Sequence, residues 1–289
     1  MDTDIFATLQ QKISGFSKGQ KRIAAFITES YDQAAFMTAS VLGKTVGVSE
    51  STVVRFAVEL GYDGYPSMQK ALQEMVVNRL TSVQRMGVTH SRIGDQNVVS
   101  MVLHSDADKL RKTAETIDEN AFRSAMDAIL KAKRIFILGA RSASALAGFL
   151  GYYLSYMFDN VHIVTTSGCS EMLEKLVSVN SGDVAIAFSF PRYSAATVKG
   201  AMYCHSVGAT VVGVTNSHLS PLCEHCDHTL LAKSDMLSVV DSLVAPLSLV
   251  NAMIVDLASA RQDVLESNFS TLERVWEEYN VYEKRANEL

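Results

Sequence analysis

Between residues 134 and 232 the chain alternates short apolar runs with segments of helical spacing, and few architectures accept that rhythm. The runs are RIFIL at 134–138, VHIVT at 161–165, DVAIAFS at 183–189, TVVGV at 210–214 and HTLLA at 228–232. Between the first four lie AGFLGYYLSYMF, SEMLEKLVSV and SAATVKGAMYCHSV. Strands joined through helices read as βαβ units, and such units pair their strands in parallel. The expected fold class is therefore α/β, a parallel sheet flanked by helices. A helical stretch in two pieces, from 97 to 133, precedes the sheet, and a long helical tail from about 241 to 287 closes it.

Upstream the pattern differs. Residues 3–78 read as a run of short helices, with Ser17, Thr38 and Ser49 as successive N-caps and Ile23, Phe26 and Ile27 on one helical face. Between 79 and 96 the segment RLTSVQRMGVTHSRIGDQ loses periodicity and reads as a linker. A chain of 289 residues, 48 % of them hydrophobic, is long enough for two cores. The expected division is an all-α domain at 1–78, a linker at 79–96 and the α/β domain at 97–289.

Within the first domain, TASVLGKTVGVSESTVVRFAVELGYDGY has the form of a helix-turn-helix. Thr38 caps one helix, Gly47 permits the sharp turn, and Ser49 caps a second helix ending at Gly61. Leu42, Val46, Val48, Val53, Phe56 and Leu60 form the expected buried set, leaving Ser51, Thr52, Arg55 and Glu59 on the outward face. Small hydroxyl residues at a helix N-terminus allow close approach to phosphates and base edges, and an Arg one turn on can grip a guanine bidentately. Ser49, Ser51, Thr52 and Arg55 are thus the candidate DNA contacts, with Val54 able to meet a thymine methyl. Lys44 on the first helix and Lys70 after Pro66 would hold the backbone. The plainer reading is a helical hairpin that only packs or dimerises. Charge does not choose between them: the first 80 residues carry eight basic and eight acidic side chains, within a chain of net charge -5.

In the α/β domain two strand ends carry hydroxyls. RIFIL runs into GARSASALAGF, where Gly139 gives a close turn and Ser142 and Ser144 stand near a helix start whose amides favour an anion. DVAIAF runs into SFPRYSAAT, where Ser189 and Ser194 cluster with Thr197, and Arg192 offers a fork suited to phosphate. Open parallel sheets bind ligands beyond the carboxyl ends of their strands at the topological switch point. Neither a GxGxxG fingerprint nor a GxxxxGK[ST] loop is present, which turns the reading from nucleotides to a compact phosphomonoester. The alternative is that these serines only cap helices.

Two further clusters are weighed against this. CEHCDH at 223–228 has C-x2-C spacing, but no second such pair exists to close a zinc site, so the cysteines read as small packed residues and no metal is expected. Glu171 could serve as a base near the ligand; placed early in a helix, it reads better as a carboxylate favoured by the helix dipole.

The order of these parts resembles the RpiR family of bacterial regulators, in which a helix-turn-helix domain precedes a sugar isomerase (SIS) domain. The residues that carry the resemblance are VGVSESTVVRFAVELGYDGY at 46–65, ILGARSASALAGFLGYYL at 137–154 and FSFPRYSAATVKGA at 188–201. It implies a regulator of a carbohydrate operon that answers to a phosphorylated sugar. It also implies that Ser142 and Ser144 on one turn, after Gly139, and Ser189 and Ser194 on the other hold the phosphate, with Arg141 and Arg192 either replacing lost donors or pointing elsewhere. Arg141 stands where many SIS turns have a second Gly, and Pro191 where a middle Ser is usual; both forms are typical of the regulators.

An SIS isomerase needs a base that moves a proton between C1 and C2. The tail offers Asp241, Asp256 and Asp263 but no His, so no catalytic residue, enzyme activity or cofactor is expected; the alternative is a sugar-phosphate isomerase or lyase with an accessory helical domain. The expected partners are pseudo-palindromic operator DNA, a phosphorylated sugar and further copies of the chain, as a homodimer or tetramer. No apolar run approaches the roughly 20 residues that span a bilayer, the first residues are acidic, and four cysteines make no disulfide framework. The expected location is the cytoplasm, without membrane attachment.

Overall fold

A computed structural model describes residues 5–79, 97–234 and 241–282. The chain divides into two compact units that part between Gln96 and Asn97. The expected linker, apart from residue 79, lies outside the described residues.

The first unit holds α1 (Ile5–Lys12), α2 (Lys18–Glu29), α3 (Tyr31–Ala34), α4 (Ala39–Val46), α5 (Glu50–Glu59) and α6 (Tyr65–Arg79). The chain sets these boundaries by side-chain capping. Ser17 and Gln20 form a reciprocal capping box at the start of α2, and Thr38 and Ser49 accept from Val41 N and Thr52 N at the starts of α4 and α5. Each such cap contributes about 1 kcal/mol. Gly47 ends α4 at φ 70°, a left-handed conformation that favours glycine. Ile23, Ile27, Leu42, Val53, Phe56 and Met68 are sealed from solvent, and Phe16 meets Phe56 edge-on at 5.3 Å. Val46 and Val48, expected inside, are only half-buried. Tyr65 and Gln69 of α6 both donate to the Met37 carbonyl, at 2.6 and 2.8 Å, and so fix α6 against the entry to α4.

The second unit opens with α7 (Val98–Thr116) and α8 (Glu119–Lys131). It then alternates β1 (Ile135–Gly139), α9 (Ser144–Leu154), β2 (Val161–Val164), α10 (Cys169–Leu176), β3 (Val184–Phe188), α11 (Ala195–Ser206), β4 (Thr210–Thr215) and β5 (His228–Leu231). The described strands form one sheet in the order β2-β1-β3-β4-β5, and every pairing is parallel. Central strands β1 and β3 are buried along their whole length, because helices cover both faces. Ile135, Ile137, Ile186 and Val212 face Leu146, Leu150 and Met253 on one side. Phe136, Leu138, Ala185 and Val211 face Met172, Leu176 and Cys204 on the other. The tail is not one helix: α12 (Val244–Ala260) and α13 (Gln262–Glu278) meet at Arg261 with a 96° bend. Arg261 stacks over the Phe158 ring there, its guanidinium carbon 4.8 Å from the centroid.

At the other end of the strands an ion pair between a half-buried Arg and a buried Asp ties the sheet together. Arg134, just before β1, grips Asp183, just before β3, through Nε at 2.9 Å and Nη2 at 2.6 Å. Burial pushes the Asp183 carboxyl up, but the Arg134 fork and the Asn180 amide outweigh it and hold the group below the usual carboxylate range.

Candidate functional site

The sheet order fixes where a ligand can sit. The chain leaves β1 to form β2 on one side, then returns to lay β3 on the other, so the strand order reverses between β1 and β3. Gly139 and Phe188, the last residues of those strands, are register partners, on strands about 4.8 Å apart. The segments 140–144 and 189–194 therefore leave from adjacent strand ends at the switch point, where open parallel sheets generally have their ligand crevice.

In the first turn Arg141 takes φ 58°, followed by a tight helical turn over Arg141–Ala143. Arg141 and Ser142 are exposed. The Ser144 hydroxyl donates to the Arg141 carbonyl at 2.5 Å. A Cβ at Gly139 would lie 2.7 Å from the Ala143 carbonyl oxygen, so only glycine lets the turn close onto β1.

The second turn is more telling. Ser189 is buried, as is Thr197 on the first turn of α11, and among the described residues neither hydroxyl has a hydrogen-bond partner. An orphaned buried hydroxyl costs about 1–3 kcal/mol, which sets Ser189 and Thr197 apart from the hydroxyls around them. Ser194 occupies the N-cap position of α11 but makes no capping bond, so capping does not explain it. Arg192 is exposed, and Tyr193 reaches across to donate to Asn216 Oδ1 at 3.0 Å, pinning the turn to the end of β4. Composition could not have marked Thr197 out over other threonines; its place on the first turn of α11, three residues after Ser194, was the available signal.

Glu171 stands in the first turn of α10, as expected of a carboxylate that complements the helix dipole. The Thr166 hydroxyl and the Lys175 ammonium, the latter at 3.0 Å, hold its carboxyl below the ordinary range. A general base working near neutrality needs the opposite shift. Cys223 and Cys226 donate to the carbonyls of Ser217 and Leu222. Burial raises both thiols, Cys226 to about 12, so neither is a ready thiolate. Among the described residues no group of three or more His, Cys, Asp or Glu is placed to hold a metal ion.

In the first unit α5 presents the second candidate surface. Ser51, Val54 and Arg55 are exposed on it, and Lys44 and Lys70 are exposed on α4 and α6. The Arg55 Nε donates to the Ser51 carbonyl at 3.3 Å, laying the side chain along its own helix. Thr52, expected outward, is half-buried, and its hydroxyl is 2.8 Å from Ser49 Oγ, which in turn lies 2.9 Å from Ser51 Oγ. Glu59 is drawn sideways as well, accepting from Gln20 of α2. Arg22, which the sequence pattern did not single out, donates to the Gly47 carbonyl at 2.7 Å and braces the turn.

Comparison with known proteins agrees with both units. Residues 3–79 match the helix-turn-helix domain of the rpiR family, and residues 128–256 match the SIS domain. An HTH-type transcriptional regulator of Clostridium perfringens is 23 % identical over 215 residues, 74 % of this chain and 76 % of that protein. In fold, the chain is similar to the sugar isomerase domain of an RpiR transcription factor from Sphaerobacter thermophilus. There the TM-score is 0.59 and the identity 24 %, over 62 % of this chain and 99 % of the other. It is also similar to the Vibrio vulnificus NanR protein complexed with ManNAc-6P, with TM-score 0.58 and 22 % identity over 94 % and 98 % of the two chains.

Proposed function

We propose that this chain, whose residues match an rpiR-family helix-turn-helix domain and a SIS domain, is a transcriptional regulator whose hold on operator DNA answers to a phosphorylated sugar. The observation that carries the effector half is the pair of orphaned hydroxyls, Ser189 and Thr197, at the β1–β3 switch point. A phosphate offers several strong acceptors to hydroxyl donors, and the N-terminus of α11 supplies amides beside them. In this reading Ser189, Ser194 and Thr197 donate to the phosphate, Ser142 closes it from the β1 side, and Arg141 and Arg192 neutralise it from the rim. NanR, which shares the fold, was solved with a sugar phosphate, which supports the ligand class.

The DNA half rests on α5. Arg55 and Ser51 would enter the major groove with Val54, Ser49 and Thr52 would set the helix N-terminus against a phosphate, and Lys44 and Lys70 would flank it on the backbone. One chain carries one such unit, so a pseudo-palindromic operator calls for at least a dimer. Such a protein works in the cytoplasm, where its DNA is. The isomerase alternative lacks support at Glu171, whose carboxylate is stabilised as the anion and has little appetite for a carbon-bound proton.

The test is a thermal-shift screen with hexose, amino-sugar and pentose phosphates, N-acetylmannosamine 6-phosphate among them. A ligand that binds the native state alone raises its melting temperature, by an amount that grows with concentration. At least one sugar phosphate should do so and its unphosphorylated sugar should not. If none does, or if any is converted at a typical enzymatic rate of about 10 per second, the sensor reading falls.

A further inference from the structure

The carboxyl ends of β3, β4 and β5 are joined by polar contacts that do not stop at the sheet. Thr215, the last residue of β4 and fully buried, donates its hydroxyl to the Ser189 carbonyl at 2.6 Å. The Thr215 carbonyl in turn accepts from Ala232 N at 2.9 Å. The next residue, Lys233, donates its backbone N–H to Thr113 Oγ1 on α7 at 2.9 Å, across 120 positions of sequence. One residue further, Ser234 donates its hydroxyl to the Ser242 carbonyl at 2.9 Å. Ser242 reaches α7 a second time, donating to Asp106 Oδ1 at 2.7 Å across 136 positions. Lys109, almost fully buried, lies 3.4 Å from the same carboxylate oxygen and 2.7 Å from Ser105 Oγ, which fixes Asp106 in place.

We infer that this relay, from Ser189 through Thr215 and residues 232–234 to Thr113 and Asp106, is how occupancy of the crevice is transmitted to α7. It rests on the reading of the crevice as a phosphate site. Three physical features support it. Its starting point is the backbone of a residue whose own hydroxyl is orphaned and would move to meet a phosphate. Its members Ser189, Thr215, Thr113 and Ser234 are buried, where a lost hydrogen bond is not replaced by water and a displacement is passed on. Its end point is the helix that begins at Val98, the first element after the chain leaves the DNA-binding unit. Two separate fastenings on α7, at Thr113 and Asp106, resist rotation as well as translation of that helix. Thr113, Thr215 and Ser242 are positioning residues in this scheme, since none donates to the effector.

Hydrogen–deuterium exchange over residues 98–116 of the full chain, with and without saturating inorganic phosphate, reads the relay directly. In the wild-type chain phosphate should slow exchange there. Thr113→Val and Ser242→Ala should bind phosphate as tightly as wild type, by the same thermal-shift titration, yet lose the slowing; Thr113→Ser, which keeps the hydroxyl, should restore it. If phosphate binds and either variant responds as wild type does, the relay is overturned. If phosphate binds but exchange over 98–116 is indifferent to it in the wild-type chain, it is overturned as well. If phosphate does not bind, or Ser189→Ala does not weaken it, the crevice reading fails first and the relay with it. Ser242→Ala exposes no new buried donor and so guards against Thr113→Val simply failing to fold.

Discussion

Ser189 and Thr197 are held at a cost to the chain that carries them, and that cost is measurable. Ser189→Ala and Thr197→Val each remove a buried hydroxyl that has no partner, so each should leave ligand-free stability unchanged or raise it, by up to about 1 kcal/mol. The same variants should lose most of their melting-temperature response to a sugar phosphate. Chemical denaturation checks the first outcome and thermal shift the second. Asp183 gives the opposite kind of prediction. Its folded carboxyl is held below the unfolded value of about 3.9, so its contribution is complete above that pH and is lost as pH falls through the folded pKa. Asp183→Asn should cost about 1–3 kcal/mol at neutral pH and flatten the acid limb of the stability curve, as urea titrations between neutrality and pH 3 would show. At this scale the sequence was legible in residue type and not in direction. GARSAS and SFPRYS picked out the two turns at the switch point, but no spacing rule foretells the left-handed backbone at Arg141 or the bond from the Ser144 hydroxyl to the Arg141 carbonyl.

Elements were more legible than side chains, for a physical reason. β1 and β3 run uninterrupted because both faces are covered, so their apolar runs announce them to within a residue at each end. The caps Ser17, Thr38 and Ser49 were equally plain, since a hydroxyl before a helical run satisfies a local need. The tail was not plain: neither glycine nor proline marks the bend at Arg261, whose side chain meets the Phe158 ring more than a hundred residues away. The turn between α4 and α5 offers the sharpest test of an element. Gly47→Ala forces a Cβ into the left-handed region, and that Cβ would lie 3.2 Å from Arg22 Nη1. The expected loss is about 1–2 kcal/mol, with operator affinity falling further than stability because α5 is re-aimed. Comparing melting temperature with operator binding by fluorescence anisotropy separates the two effects.

For the whole molecule, the two-part division followed from a change of periodicity near residue 79, and the α/β class from the alternation after residue 134. Assembly is where a single chain's sequence falls silent, because a two-fold interface depends on surfaces whose partner is not in the string. On the proposed function a dimer would meet two half-sites about 34 Å apart along the duplex, and a modest rotation of one recognition unit against its mate would abolish simultaneous docking. Arg55→Ala should weaken operator binding about 5- to 150-fold, the equivalent of a lost base contact of 1–3 kcal/mol, and leave the sugar-phosphate response intact. Anisotropy at fixed salt and the thermal-shift titration read the two halves separately.

The turns at the reversal of strand order are part core and part rim: Ala143 and Phe190 pack with Ile137 and Ile186, whereas Arg141, Ser142 and Arg192 are exposed. Those exposed positions can be exchanged with little disturbance to the sheet or the helices that cover it. If the proposed function holds, a chain of this design would be retargeted to a different metabolite by rewriting those few rim positions, while the DNA it reads stays the same. That separation would suit it as a chassis for a genetically encoded biosensor.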